Sequence, residues 1–295
     1  MLAPDGQNLL ISIIVCTRNR ADRLKVCLEH LAKLDFPRES VEVVVVDNGS
    51  TDPTEEVIRG FADSAPFSVL SVYQAVPGLT RSRNIGARHA KAEILVFVDD
   101  DCYVAPDYLR QTMAVYKEHD ITFFGGKILL YDSKDYPITF RDSDMVQRIE
   151  PFCFVGPGLI QGANMSARRA ALEQIGGFDR HLGPGGRFCC EDMDFAARLA
   201  DAGFAGGYFP APLVYHHHGR RAGPAVEQLK RSYAHGSGAH FAKSWLRHRG
   251  HPRYLLHFMK HMARQLLKKR LMNIFWNIMG FGDYLLYRLR LGRRY

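Results

Sequence analysis

Four short runs of β-branched and apolar residues between positions 11 and 98, most of them closed by a polar cluster, constrain the fold more than any other feature of this chain. Residues 11–16 lead into Thr17-Arg18-Asn19-Arg20, after which Leu24, Cys27, Leu28 and Leu31 repeat at helical spacing. Residues 41–46 end at Asp47-Asn48-Gly49-Ser50-Thr51-Asp52-Pro53, and 54–62 read as a helix. A strand at 69–73 precedes a helix at 80–90. The run at 94–98 is unbroken in its apolar character, which predicts burial on both faces. Alternation of this kind implies an α/β fold with a mostly parallel sheet, helices on both faces and ligands at the carboxyl ends of the strands. Thr17-Arg18-Asn19, Asp47 and Asp99-Asp100-Asp101 all stand at such ends, so three polar clusters are expected on one rim.

Beyond position 123 the strands shorten and glycine-proline turns appear, Gly156-Pro157-Gly158 and Gly183-Pro184-Gly185-Gly186, with helices expected near 167–175 and 192–202. At 295 residues, 46% hydrophobic and 24% charged, the chain has an ordinary globular composition, which excludes disorder and collagen-like repeats. The net charge of +8 is unevenly placed: residues 245–295 hold twelve Lys and Arg against the single acid Asp283, a local +11, so residues 1–244 carry about −3. That split argues against a uniformly basic nucleic-acid-binding surface. Cys16, Cys27, Cys102, Cys153, Cys189 and Cys190 show no CxxC spacing and read as reduced thiols. The start of the chain shows no basic region followed by a long apolar segment, so no signal peptide is expected and the location implied is cytoplasmic.

The chemistry-bearing residues each have a structural alternative. Clustered carboxylates such as Asp99-Asp100-Asp101 raise one another's pKa unless a cation neutralises them, and a hard Mg²⁺ or Mn²⁺ is the natural partner; the alternative is a solvated acidic turn. In the 47–53 segment Gly49 suits a turn and Asp52 a cap on the helix after Pro53, while Asp47 is left free to accept a hydrogen bond from a nucleotide base. Arg81, Arg83 and Asn84 stand near a helix start, where an arginine clamps phosphate or is simply solvated. Glu191-Asp192-Met193-Asp194 opens a helix, which its acids favour electrostatically. Asp192 is also the candidate general base for an acceptor hydroxyl. Of His216-His217-His218, at most one or two face a common site, with one available as a metal ligand.

Taken together, residues 13–19, 45–52, 97–101, Gly176-Gly177-Phe178-Asp179 and 191–194 resemble the family-2 glycosyltransferases of the A-type (GT-A) fold over roughly residues 10–220. The resemblance implies a Rossmann-like catalytic domain at 1–222, its nucleotide-sugar half about 1–122 and its acceptor half about 123–222. A helical extension then covers 223–295. It implies that Thr17 and Asp47 hold the base, with Arg18 and Asn19 alongside, that Arg81 and Asn84 approach base or diphosphate, and that the aspartate triple meets ribose and metal. Asp101 is the metal ligand with Asp99 and His216, and either Asp99 or Asp100 meets ribose. Gly162 and Asn164 would line the donor sugar and acceptor side, Glu191 would contact substrate, and Asp192 would be the base of an inverting single displacement. The donor implied is a nucleotide-diphosphate sugar, UDP first, with Mn²⁺ or Mg²⁺ as cofactor and a carbohydrate or lipid-linked acceptor.

Two other classes fit parts of the pattern. A nucleotidyltransferase lacks the expected glycine-rich phosphate loop, since Thr17-Arg18-Asn19-Arg20 stands there, and a non-catalytic nucleotide-sugar-binding scaffold would lack turnover. In the tail, Leu255, Met259, Met262, Ala263 and Leu266 share a helical face opposite Lys260, Arg264 and Lys268. Residues 271–282 are uncharged but too short to span a bilayer. The tail is therefore expected on an anionic membrane face, the alternatives being packing on the catalytic domain or a homodimer contact.

Overall fold

The structure, a computed structural model, describes residues 9–184 and 186–292, so Gly185 of the expected turn and the last three residues of the basic tail lie outside the described residues. The strands and helices alternate as β1 (Ile11–Thr17), α1 (Ala21–Leu31), β2 (Val41–Asp47), α2 (Thr54–Ala62), β3 (Ser68–Tyr73), α3 (Leu79–His89) and β4 (Ile94–Asp99). Then come β5 (Cys102–Val104), α4 (Tyr108–Glu118), β6 (Phe123–Leu130), β7 (Gln147–Ile149), β8 (Asn164–Arg168), α5 (Arg169–Gln174), α6 (Glu191–Asp201) and β9 (Gly206–His216). Three helices follow: α7 (Pro224–Arg247), α8 (Pro252–Leu267) and α9 (Leu271–Gly292).

The nine strands of the described residues form one sheet, ordered β3-β2-β1-β4-β8-β6-β9-β5 with β7 beside β9. β3, β2, β1 and β4 are parallel, and their register sets Thr17 level with Asp47 and Cys16 level with Asp99, which brings the three polar clusters to one rim. Past β4 the sheet is mixed rather than mostly parallel: β8 runs antiparallel to both β4 and β6. β6 is joined to β8 by residues 131–163 with the short β7 and no helix, so this neighbour is not placed by the helical crossovers that link β1, β2, β3 and β4.

Alternate residues of the buried strands serve opposite layers. Ile13, Val15, Val43, Val45, Val96 and Val98 meet Leu24 and Leu28 of α1 on one face. Ile14, Val44, Val46, Leu95 and Phe97 meet Ala87 of α3 and Phe195 and Leu199 of α6 on the other. α3 lies flush on the sheet because Gly86 has no side chain; a Cβ there would stand 2.5 Å from Ile14 Cγ2.

The helices beyond residue 222 do not stand apart from this body. Asp194 of α6 is fully buried and pairs with Arg198 (2.8 Å), Lys243 of α7 (2.8 Å) and Arg247 of α7 (3.7 Å). α7 and α9 cross in backbone contact: a Cβ at Gly238 would lie 1.9 Å from the Asn277 carbonyl oxygen, and one at Gly280 1.9 Å from that of His235. Leu182, Phe188 and Cys190 pack with Ala239 and Ala242 of α7 and Tyr284 of α9 beneath that crossing.

Two tests follow from these contacts. Gly280→Val forces α9 away from α7 and lowers stability by about 1–3 kcal/mol or more, read as a lower denaturation midpoint; an unchanged midpoint contradicts the close crossing. Burial alone would raise the Asp194 carboxyl, but Lys243, Arg198 and Arg247 hold it at about 2. Its stabilisation is therefore full above the ordinary carboxylate pKa of about 4 and is lost as pH falls toward about 2. Asp194→Asn should cost about 3–5 kcal/mol at neutral pH and remove that acid limb from the stability profile.

Candidate active site

At the carboxyl ends of β1 and β4 a cleft of about 930 Å³ opens, and five carboxylates line it: Asp99, Asp100, Asp101, Glu191 and Asp192. Such a density of negative charge is tolerated because arginines are threaded between the acids. Arg20, at the start of α1, donates to Asp100 Oδ1 (2.7 Å) and Asp101 Oδ2 (2.8 Å). Arg83, buried in α3, pairs with Asp99 Oδ1 (2.9 Å) and Glu191 Oε1 (3.4 Å) and also donates to the Gly162 carbonyl (3.1 Å). Gly162 is a glycine for a steric reason, since a Cβ there would lie 2.7 Å from Arg83 Nη2.

The three aspartates have distinct environments. Asp100 accepts from Thr17 Oγ1 (2.7 Å) as well as Arg20, and burial raises its carboxyl to about 6 even against the arginine. Asp101 is equally buried, yet His216 and Arg20 hold it below the usual carboxylate range. Asp99 is the open one, with 31% of its side chain exposed to the cleft. Asp101, Cys102 and His216 bring one ligand atom each within 4.8 Å of one another, His216 Nε2 lying 3.3 Å from Asp101 Oδ1. Burial pushes the Cys102 thiol well up, so it stays protonated. The usable donors are a carboxylate oxygen, the kind that Mg²⁺ and Mn²⁺ take, and an imidazole nitrogen, which suits a softer ion better than Mg²⁺.

Across the cleft, α6 presents Glu191 and Asp192 from its first turn. Asp192 Oδ2 accepts from Gly162 N (3.1 Å) and Oδ1 from Met193 N (2.7 Å), and the residue makes no ion pair among the described residues. Burial raises both carboxyls, and Glu191 is pushed further up by Asp192 beside it and opposed by Arg83.

Of the residues expected here, Thr17, Arg18, Asp99, Asp100, Asp101, Gly162, Glu191, Asp192 and His216 line the cleft. Five others are placed differently. Asn19, with φ of 53°, accepts from Thr51 N (2.7 Å) and ties the loop after β1 to the loop after β2. Asp47 is buried and accepts from Ser50 N (2.8 Å), leaving its neighbour Asn48 on the cleft wall. Arg81 is exposed outside the lining, and Arg83 two residues on takes the interior position. Asn84 holds the Phe178 backbone at both N–H and C=O (2.7 and 2.8 Å). Asn164 is fully buried, receiving Tyr108 OH (2.8 Å) and donating to the Lys127 and Pro212 carbonyls. Asp52 holds both helix starts: its Oδ2 accepts from Ala21 N (3.0 Å) at α1 and its Oδ1 accepts from Thr54 Oγ1 (2.5 Å) at α2.

His217 leaves the site to pack on Tyr103 and Tyr131, and buried His218 accepts from Arg220 N (2.9 Å), so His216 alone of the three lines the cleft. The far wall has no counterpart in the sequence reading. It is made by Leu229, Ser232, Tyr233 and Ser237 of α7, with Arg220 beside them and Tyr233 OH 3.2 Å from Thr139 Oγ1. Arg20 stood at the end of the polar run after β1, a signal that pointed to it; nothing in the pattern of α7 marked Tyr233.

The family model described as "Glycosyl transferase family 2" matches residues 12–176, ending short of Glu191, Asp192 and His216. Glycosyltransferase AglE of Haloferax volcanii is 26% identical over 239 residues, 77% of this chain and 72% of that protein. Poly(ribitol-phosphate) beta-N-acetylglucosaminyltransferase TarS of Staphylococcus aureus is 34% identical over 108 residues, 37% of this chain but only 19% of its own length; its residues 1–349 have been solved with UDP and with UDP-GlcNAc. The mannosyltransferase PcManGT from Pyrobaculum calidifontis, solved with GDP-Man and Mn²⁺, superposes with a TM-score of 0.62 over 94% of this chain and 84% of that one; at 21% identity this is likeness of fold.

Arg83→Ala would strip the guanidinium from Asp99 and Glu191 together. Because Asp99 is partly solvated, the expected loss is at the lower end for a broken buried pair, about 3 kcal/mol, measured by thermal or urea denaturation. A loss below about 1 kcal/mol would mean that the two acids do not depend on it.

Proposed function

The chain belongs to glycosyl transferase family 2, and from that premise we propose that it moves a sugar from a nucleoside-diphosphate donor, UDP-linked in the first instance, to an acceptor hydroxyl in one inverting displacement. The observation that carries this reading is the placement of Asp192, a half-buried carboxylate free of ion pairs, in the same cleft as the Asp99-Asp100-Asp101 triple.

Asp192 acts as general base. Its backbone hydrogen bonds from Gly162 and Met193 fix the carboxylate, and burial makes it a stronger base than a solvated aspartate. It takes the proton as the acceptor oxygen attacks the anomeric carbon, and the bond from that carbon to the diphosphate breaks with inversion. Asp99, the open acid, contacts ribose, and Asp100 is enclosed by Thr17 and Arg20, so the DxD pattern reads Asp99-x-Asp101. Asp101 and His216, with Asp99 at the cleft surface, are the residues that would hold Mn²⁺ or Mg²⁺. Such an ion supplies charge neutralisation to the departing diphosphate. Arg18 and Arg220 add positive charge at the cleft wall. TarS with UDP-GlcNAc supports a uridine donor, while PcManGT with GDP-Man keeps guanosine within the fold's range.

The catalytic unit proposed runs through α7, which closes the acceptor side. Its acceptor is a carbohydrate or lipid-linked hydroxyl, and the enzyme works in the cytoplasm at the inner membrane face in polysaccharide or glycolipid synthesis.

Asp192→Asn should keep nucleotide binding and lower turnover by about 10²–10⁴-fold, with nucleoside diphosphate rather than pyrophosphate as the wild-type product. Wild-type turnover in folded D192N protein would remove the base assignment. Because Asp192 and Glu191 are both raised, the acid limb of the kcat–pH profile should lie above the ordinary carboxylate pKa of about 4; a limb at or below that value contradicts their burial in the working enzyme.

A further inference from the structure

The surface left open by α8 and α9 has a composition that one kind of partner fits. The aromatic side of α8, with Tyr254, His257, Phe258 and His261, packs on Phe154, Phe241 and Phe281. The aliphatic stripe faces outward, with Leu255, Met259 and Leu266 exposed. α9 repeats the arrangement: Asn277, Gly280 and Tyr284 turn inward, while Leu271, Phe275, Ile278, Leu286 and Leu289 form an uncovered line along the helix. The two stripes meet where the helices join, at Leu266, Leu267, Leu271 and Met272, which are 56–84% exposed. Exposed Lys268, Lys269 and Arg270 lie between them.

We propose that this α8–α9 hairpin is a docking element for an anionic bilayer surface, its leucine-rich tip entering the headgroup–acyl boundary and its basic residues meeting lipid phosphates. The proposal rests on the glycosyltransferase reading and names the surface through which that enzyme meets a membrane. Charge decides among occupants. Past residue 244 the only acid is Asp283, which is turned to His235 at 2.9 Å, so a second copy of this face would set basic tip against basic tip. Among the described residues, none of the catalytic body covers the stripes. No helix of the described residues is long and apolar enough to cross a membrane, so the element lies on the bilayer rather than spanning it.

Docking there also brings the bilayer near the cleft wall. α7 lines the cleft with Leu229 and Tyr233, and at Gly238 it touches α9, whose outer side carries the leucine line. One helix therefore separates the acceptor wall from the bilayer contact, which suits an acceptor hydroxyl carried on a lipid.

The test is co-sedimentation of the full chain with phosphatidylcholine vesicles, with and without phosphatidylglycerol, together with the oligomeric state by light scattering. Wild type should pellet with the anionic vesicles at low salt and be released at high salt. Leu267→Glu with Leu271→Glu, and separately Lys268→Ala, Lys269→Ala and Arg270→Ala combined, should each weaken binding by at least about tenfold. These positions are exposed, so both variants should keep the wild-type denaturation midpoint and solution binding of UDP. Wild type staying in the supernatant, variants that pellet like wild type, or a dimer dissolved by the leucine variant would each overturn the proposal. UDP binding and Asp192-dependent release of UDP from UDP-GlcNAc to water are scored without vesicles, so failure of docking and failure of the enzyme reading give different results.

Discussion

The structure turns on holding five carboxylates in one cleft without letting them repel the fold apart. Two arginines from different elements solve most of this. Arg20 spans Asp100 and Asp101, and Arg83 spans Asp99 and Glu191, so that β4, α1, α3 and α6 are joined through charge at the rim where the parallel strands end. Asp192 is the exception. Among the described residues its hydrogen bonds come from backbone N–H groups, so it is the carboxylate of the cleft left without an arginine partner. The same pairing separates the aspartate triple into an enclosed member, a member shared with His216 and an open one.

A second constraint comes from the C-terminal helices. α7 is drawn onto the catalytic body by the pairing of Lys243 and Arg247 with buried Asp194, and its glycines let it approach the Cys189 backbone on one side and α9 on the other. The far wall of the cleft is thus built from a segment that lies after every strand of the described residues. The acids of α6, the rim at the ends of β1 and β4, and the wall from α7 converge only because these ion pairs and backbone contacts hold together.

Much of the fold was legible in the sequence because it depends on periodicity. β4 is buried on both faces as its unbroken apolar run implies, and the strand ends located the rim with Thr17 and Asp99–Asp101, while the acids opening α6 and the histidine run located Asp192 and His216. What could not be read was how polar side chains spend their hydrogen bonds. Asn19, Asp47, Asn84 and Asn164 are of the right type in the right neighbourhood, but each is satisfied by backbone or by a neighbouring residue. Arg81 and Arg83 differ only in which side of one helix turn faces the sheet. The mixed second half of the sheet and the role of α7 depend on long-range contacts, including Gly238 and Gly280, that leave no periodic trace.

The most direct test of the account is thermal denaturation with UDP, with and without Mn²⁺, in wild type and in Asp101→Asn. If the acids at the end of β4 and His216 form the site for metal and diphosphate, UDP raises the wild-type midpoint strongly only with Mn²⁺, and the variant loses that increment. Equal stabilisation of both proteins, or a UDP effect indifferent to Mn²⁺, would contradict it.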